Sequence, residues 1–92
     1  MNRLNSKEIK SALDKLPGWV SIGEKIYKAV TFDSYMAGIE FINRLADIAE
    51  KENHHPDLTV GWCKVGVSFS THDAGGVTVK DIAMAKEVEK LI

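Results

Sequence analysis

Cysteine and long apolar runs are scarce in this sequence of 92 residues. The single cysteine, Cys63, cannot form a disulfide within the chain and has no second cysteine to complete a zinc-binding spacing, which is typical of a reducing compartment. The N-terminal segment contains no apolar stretch of the kind found in signal peptides. No run approaches the roughly 20 apolar residues that a membrane helix needs. We therefore expect a cytoplasmic protein that does not enter a membrane.

An excess of charge of either sign is also missing. Twelve Lys and Arg residues face thirteen Asp and Glu residues, which gives a net charge of −1, and neither sign forms a block. Because a protein that binds nucleic acid directly normally needs a basic face to displace counterions, we expect no direct nucleic-acid binding. With 45% apolar residues, 27% charged residues and only two prolines, the chain has the composition of a folded globular protein.

The length allows one domain, which we expect to span residues 1–92, since compact domains usually run from about 50 to 250 residues. A domain this small buries only about 60–65% of its unfolded surface. This limited burial favours association with a second copy of the chain.

Apolar residues at helical spacing predict three helices, and alternation of apolar and polar residues predicts four strands. Each helix is preceded by a capping residue, and Pro17-Gly18 is expected to end the first one. The predicted helices lie between residues 5 and 16, 34 and 51, and 78 and 92. The predicted strands are residues 19–22, 26–32, 58–62 and 65–69, with residues 23–25 as a three-residue hairpin loop.

The order of these elements is therefore α-β-β-α-β-β-α. Two hairpins separated by a long helix predict an α+β fold, in which helices pack on one face of a four-stranded antiparallel sheet.

All three histidines lie outside the apolar stripes of these elements. His54 and His55 precede the third strand, and His72 follows the fourth. If these strands pair as a hairpin, the three imidazoles share one end of the sheet. Imidazole titrates near pH 6.5, so such a cluster is able to divide acid and base roles at neutral pH. The alternative for the pair alone is a polar helix exit, fixed by the proline that follows it.

A metal site is the main rival interpretation of the cluster. It would use His54 or His55 together with His72 and an acidic neighbour, either Asp57 or Asp73. Adjacent histidines in an extended segment point to opposite sides, and no His-x-His or His-x-x-x-His pair is present. We therefore disfavour a metal.

Three further features have an ordinary structural interpretation beside a functional one. The segment of residues 71–76 ends in two glycines, but it lacks the pattern of a phosphate-binding loop. Trp19 is either a core residue or the wall of a pocket. Glu50 lies one helical turn before His54, so it either orients an imidazole or remains a solvated carboxylate.

The spacing of these residues resembles that of a known family. Residues 50–56, with the sequence EKENHHP, are followed by Trp62, then by His72 after nine residues and Asp81 after eight more. This combination, with residues 71–78, resembles the pterin-4a-carbinolamine dehydratases, also called 4a-hydroxytetrahydrobiopterin dehydratases. The resemblance extends over nearly the whole chain. Trp62 and Val77 replace the Tyr and Leu of many members, and both changes are conservative.

The resemblance implies a hydro-lyase that acts in the recycling of tetrahydrobiopterin. Such an enzyme removes water from a 4a-hydroxytetrahydropterin and gives the quinonoid dihydropterin, with no metal and no cofactor. Expulsion of hydroxide needs a proton on the leaving oxygen and a base for a ring proton.

The resemblance also implies roles for individual residues. His54 and His72 are expected to transfer protons, and His55 is expected to hold and polarise the pterin. Glu50 and Trp19 are expected to position these histidines without contacting the substrate, whereas Asp81 is expected to cap the last helix. The expected substrate contacts are Asn53, His54, His55, Ser70, Thr71, His72 and Asp73.

Finally, the resemblance implies an assembly. Family members form homodimers or homotetramers, and some members in animals also serve as a dimerisation cofactor of a homeodomain transcription factor. A non-catalytic binding module, or an accessory protein of another pterin-dependent pathway, is therefore the alternative function. The intact set of three histidines favours the enzyme.

Overall fold

The computed structural model describes residues 2–92 and contains three helices and one four-stranded sheet. The elements are α1 (Ser6–Leu13), β1 (Val20–Ile22), β2 (Lys25–Thr31), α2 (Tyr35–Glu52), β3 (Asp57–Val60), β4 (Lys64–Phe69) and α3 (Val79–Lys90). A short 3-10 turn, His72–Ala74, lies between β4 and α3. The predicted α+β fold and its element order are confirmed.

The sheet has the strand order β1-β2-β4-β3, and every neighbouring pair is antiparallel. Alternate residues of the central strand β4, namely Val65, Val67 and Phe69, are buried in the core. Leu45 of α2 and Ala85 of α3 belong to the same cluster. Because these strand residues share one face, the helices cover that face of the sheet, as predicted.

The first helix is shorter than predicted. It ends at Leu13, and the chain then turns so that Leu16 still reaches the core. Pro17 has no N–H to bond the carbonyl of Leu13, and its ring would clash with that carbonyl in a continued helix, so the helix ends at Leu13.

Two strand boundaries also differ from the prediction. Ile22 pairs directly with Lys25, so the first hairpin has a two-residue loop and not the predicted three-residue loop. Gly23 supplies the left-handed conformation of this tight turn, with φ 58°. The third strand ends at Val60, and Trp62 lies beyond it in the turn with 83% of its surface exposed.

The second helix is the longest element and carries the chain towards the histidines. The Ser34 hydroxyl accepts the backbone N–H of Ala37 and so begins α2 as predicted. The helix ends at Glu52, and Asn53 adopts the left-handed conformation that often follows a helix. Neither α2 nor any other helix within residues 2–92 has the length and apolar character to cross a membrane.

Candidate functional site

The pairing of β3 with β4 brings the three histidines to one end of the sheet. Asp57, at the start of β3, lies opposite Ser68, near the end of β4. The segments before β3 and after β4 therefore lie side by side around an open pocket of about 570 Å³. All seven residues predicted to contact substrate line it: Asn53, His54, His55, Ser70, Thr71, His72 and Asp73.

The end of α2 directs the two adjacent histidines to different surroundings. The left-handed Asn53 turns the chain, and the backbone N–H of His54 still bonds the carbonyl of Ala49 at 3.0 Å. The side chain of His54 is only 11% exposed, whereas that of His55 is 54% exposed. The two rings therefore have separate partners, as expected for neighbours in a non-helical segment.

His54 is held on two sides. Its Nε2 lies 2.5 Å from Oδ1 of Asp81, whose side chain is fully buried. Its ring stacks on Phe69 at a centroid distance of 6.3 Å and an interplanar angle of 12°. A hydrogen bond and a packed aromatic face together fix both the direction and the plane of this imidazole.

Asp81 is also bound by groups of the protein other than His54. Its Oδ2 accepts the backbone N–H of Thr78 at 2.8 Å, which confirms the predicted helix cap. The same oxygen accepts the hydroxyl of Thr71 at 2.8 Å. One carboxylate oxygen of Asp81 therefore serves the start of α3 and Thr71, and the other serves His54.

Glu50 pairs with the other histidine of the pair. Its Oε2 is hydrogen-bonded to Nε2 of His55, and both side chains are largely exposed. The prediction that Glu50 orients an imidazole is therefore matched by a contact, although the imidazole is that of His55 and not that of His54. Each of the two adjacent histidines has its own carboxylate.

His72 is presented on a closed turn. The backbones of Thr71 and Gly76 bond each other at 2.9 and 3.3 Å, so the residues between them form a compact loop that carries His72 at its start. The exposed ring of His72 has no carboxylate partner within residues 2–92. Both of its nitrogens are therefore available to a ligand in the pocket.

Trp19 does not reach the pocket. It is buried in the core, its Nε1 donates to Glu89 at 3.1 Å, and its ring stacks on Phe69 at 6.1 Å. Trp19 is linked to the site indirectly, because Phe69 also stacks on His54. Trp19 is therefore a core residue and not the wall of the pocket.

Two features of the site were missed by reasoning from the sequence. The capping pattern predicts Asp81 only as a helix cap, although one of its oxygens remains for His54. No pattern in the sequence points to Lys80, which lines the pocket beside the histidines. The signal for Asp81 was present, since it belongs to both the capping pattern and the family pattern. Within residues 2–92, no three His, Cys, Asp or Glu side chains are arranged to hold a metal ion.

This site and fold agree with a comparison against known families. The family described as "Pterin 4 alpha carbinolamine dehydratase" matches residues 2–91. The chain belongs to this family. Relatives in Thermosynechococcus vestitus and Sulfurisphaera tokodaii, both named "Putative pterin-4-alpha-carbinolamine dehydratase", are 44% and 39% identical to this chain. The matches cover 97% and 100% of this chain and 94% and 99% of the relatives.

Two solved structures have a similar fold. A crystal structure described as a transcriptional coactivator/pterin dehydratase from Brucella melitensis has a TM-score of 0.95 and 34% identity, with 98% of each chain covered. A pterin dehydratase-like protein, described as a RuBisCO assembly factor of the alpha-carboxysome, has a TM-score of 0.66 and 22% identity. That match covers 79% of this chain and 84% of the other, and at this identity it shows a likeness of fold alone.

Proposed function

We propose that this chain dehydrates a 4a-hydroxytetrahydropterin to the quinonoid dihydropterin and water. The observation that carries the proposal is the meeting of three imidazoles in one pocket, of which two have a carboxylate partner and the third has none among residues 2–92. Membership of the pterin-4a-carbinolamine dehydratase family supports the choice of substrate.

The reaction breaks one carbon–oxygen bond and moves two protons. The C4a–O bond breaks with its electron pair on oxygen, and a protonated imidazole supplies the proton that turns the leaving hydroxide into water. The electron pair of the adjacent ring nitrogen forms the new double bond to C4a, and that nitrogen then loses its proton to a base. The substrate thus gives one product and one water with no change of oxidation state, and proton transfer of this kind contributes about 10²–10⁴ in rate.

The surroundings of the histidines support a division of roles. His72 has no carboxylate partner in the described part of the chain, so we assign it to the 4a-hydroxyl, where it donates the proton. His54 is nearly buried and bound to the buried carboxylate of Asp81, which suits it to accept a proton from the ring. His55 is exposed and paired with Glu50, and we assign it to holding the pterin.

The contacts of the other predicted residues fit a flat ligand. The Ser70 hydroxyl donates to the carbonyl of Glu24 at 2.7 Å, so towards the pterin it retains only acceptor capacity. Asn53 and Asp73 lie on the pocket wall, and their amide and carboxylate groups are able to bond the amide-like edge of the pterin. Within this proposal the enzyme uses neither a metal nor a cofactor, is cytoplasmic and works as a homodimer or homotetramer.

A stopped-flow assay with an enzymatically generated 4a-hydroxytetrahydropterin tests the proposal. We expect His72→Ala to lose about 10²–10⁴ in turnover, since it removes the proton donor, and to keep the circular dichroism spectrum of the native chain. Lys64→Ala, at the opposite end of β4, is the control and should retain full turnover. EDTA should leave turnover unchanged.

Three results would contradict the proposal. Near-normal turnover by His72→Ala would exclude its acid role. Activity that is lost to EDTA and restored by zinc would favour the metal interpretation. Absence of turnover in the native chain would favour a binding module or an accessory protein of another pterin-dependent pathway.

A further inference from the structure

Thr71 joins the two parts of the site that carry His54 and His72. It directly precedes the turn His72–Ala74, and its backbone closes that turn against Gly76. Its hydroxyl lies 2.8 Å from Oδ2 of Asp81 and 2.8 Å from the hydroxyl of Thr78. Both partners of the Thr71 hydroxyl are fully buried, so the hydroxyl of this pocket-lining residue is directed towards the protein interior.

The direction of the hydrogen bonds around Thr71 follows from the count of available protons. An ionised Asp81 only accepts, so Thr71 donates its one hydroxyl proton to Oδ2. Thr78 must then be the donor in the bond between the two hydroxyls, while its own oxygen accepts the backbone N–H of Lys80 at 3.3 Å. The two threonines thus form a chain of donors that ends on the carboxylate.

The Asp81 carboxylate, held by these hydrogen bonds, determines which nitrogen of neutral His54 carries the proton. Oδ1 of Asp81 can only accept, so Nε2 of neutral His54 must be the protonated nitrogen. Nδ1 is then an acceptor. No side-chain nitrogen or oxygen within residues 2–92 is buried without a partner, and Nδ1 has no hydrogen-bond partner there, so it must retain access to solvent.

We propose that Thr71 is a positioning residue that holds Asp81 so that His54 keeps its proton on Nε2 and offers Nδ1 as the base. The same hydroxyl ties the start of the His72 turn to Asp81, so one residue fixes the relative placement of the proposed acid and base. This role deepens the proposed dehydration and rests on it. It also differs from a substrate contact, because both the hydroxyl and the backbone groups of Thr71 are engaged within the protein.

The kinetic test compares Thr71→Val with Thr71→Ser. Valine keeps the shape of threonine but removes the hydroxyl, and loss of a hydrogen bond to a charged group corresponds to about a tenfold fall in kcat. We expect KM to stay within about twofold and the acidic limb of the kcat–pH profile to move to higher pH, because a carboxylate with fewer donors attracts the imidazole proton more strongly. Thr71→Ser retains the hydroxyl and should restore both quantities.

The matched control is Thr59→Val, the same substitution at an exposed residue of β3 that does not line the pocket. It should leave kcat, KM and the pH profile unchanged. A rise in KM with unchanged kcat in Thr71→Val would make Thr71 a substrate contact and overturn the proposal. Failure of serine to restore activity would also overturn it.

A second readout does not depend on catalysis. Nitrogen-15 NMR of the native chain above pH 8 should show neutral His54 protonated on Nε2, and Thr71→Val should change the chemical shifts of both ring nitrogens, because Asp81 has then lost one of its donors. Protonation of native His54 on Nδ1, or an unchanged spectrum in the variant, would overturn the positioning role. If the native chain lacked dehydratase turnover but gave the expected spectra, only the proposed function would fail.

Discussion

Three identical side chains acquire three different environments in this pocket. His54 is nearly buried and bonded to a buried carboxylate, His55 is exposed and bonded to an exposed one, and His72 has no carboxylate partner in the described chain. The sequence predicts that the three lie together, because the strands β3 and β4 that flank them are expected to pair. It could not assign Asp81 to His54, because that contact joins the end of α2 to the start of α3 across 27 positions.

The two carboxylates that bind histidines should differ in their effect on stability. Asp81→Ala removes a helix cap and leaves buried donors unpaired, so we expect a loss of about 2–3 kcal/mol in the free energy of unfolding. Glu50→Ala removes an exposed pair and should change the free energy of unfolding by less than about 0.5 kcal/mol. Urea unfolding followed by circular dichroism measures both. Equal losses for the two variants would contradict the distinction drawn from burial.

At the scale of elements, the sequence predicted where helices begin better than where they end. Capping residues are local, so the starts of α2 and α3 could be predicted from Ser34 and Thr78. The early end of α1 depends on how Pro17 constrains the preceding residues, and the length of the first hairpin loop depends on strand register. That register is set by the pairing of two strands and is not a property of either strand alone.

The end of α2 is the element boundary on which the site depends. Asn53 has φ 51° and ψ 43°, a conformation that costs an alanine about 1 kcal/mol or more but costs glycine little. We therefore expect Asn53→Ala to lower the free energy of unfolding by about 1 kcal/mol and Asn53→Gly to stay within about 0.5 kcal/mol of the native chain.

A matched substitution inside α2 separates the effect of backbone strain at Asn53 from the effect of losing an asparagine amide group. Asn43 is exposed and helical, so Asn43→Ala should leave stability unchanged or raise it slightly through the higher helix propensity of alanine. Denaturant unfolding of the three variants under one condition gives the comparison. Equal stability of the alanine and glycine variants at position 53 would show that its left-handed backbone carries no strain.

At the scale of the whole molecule, one face of the sheet remains uncovered by helices. Val20 and Ile22 lie on β1, an edge strand, and each is about half exposed. Their register with Tyr27 and Lys25 places them on the face opposite the buried Ile26. An edge strand with exposed apolar residues is a common surface for association, so the open face of β1 is the place where we expect a second copy to bind.

If two copies associate through the open face of β1, one substitution there should lower the mass of the particle in solution. Sedimentation at micromolar concentration should give at least twice the monomer mass of 10.2 kDa, and Ile22→Lys should shift the chain to the monomer because a buried lysine at the contact is costly. Ser21→Lys places the same charge on the adjacent, exposed residue, whose register with Ile26 directs it to the opposite face, and should leave the mass unchanged. A native chain that sediments as a monomer would refute the assembly itself. An oligomer that survives Ile22→Lys would show that the copies meet at a surface other than the open face of β1.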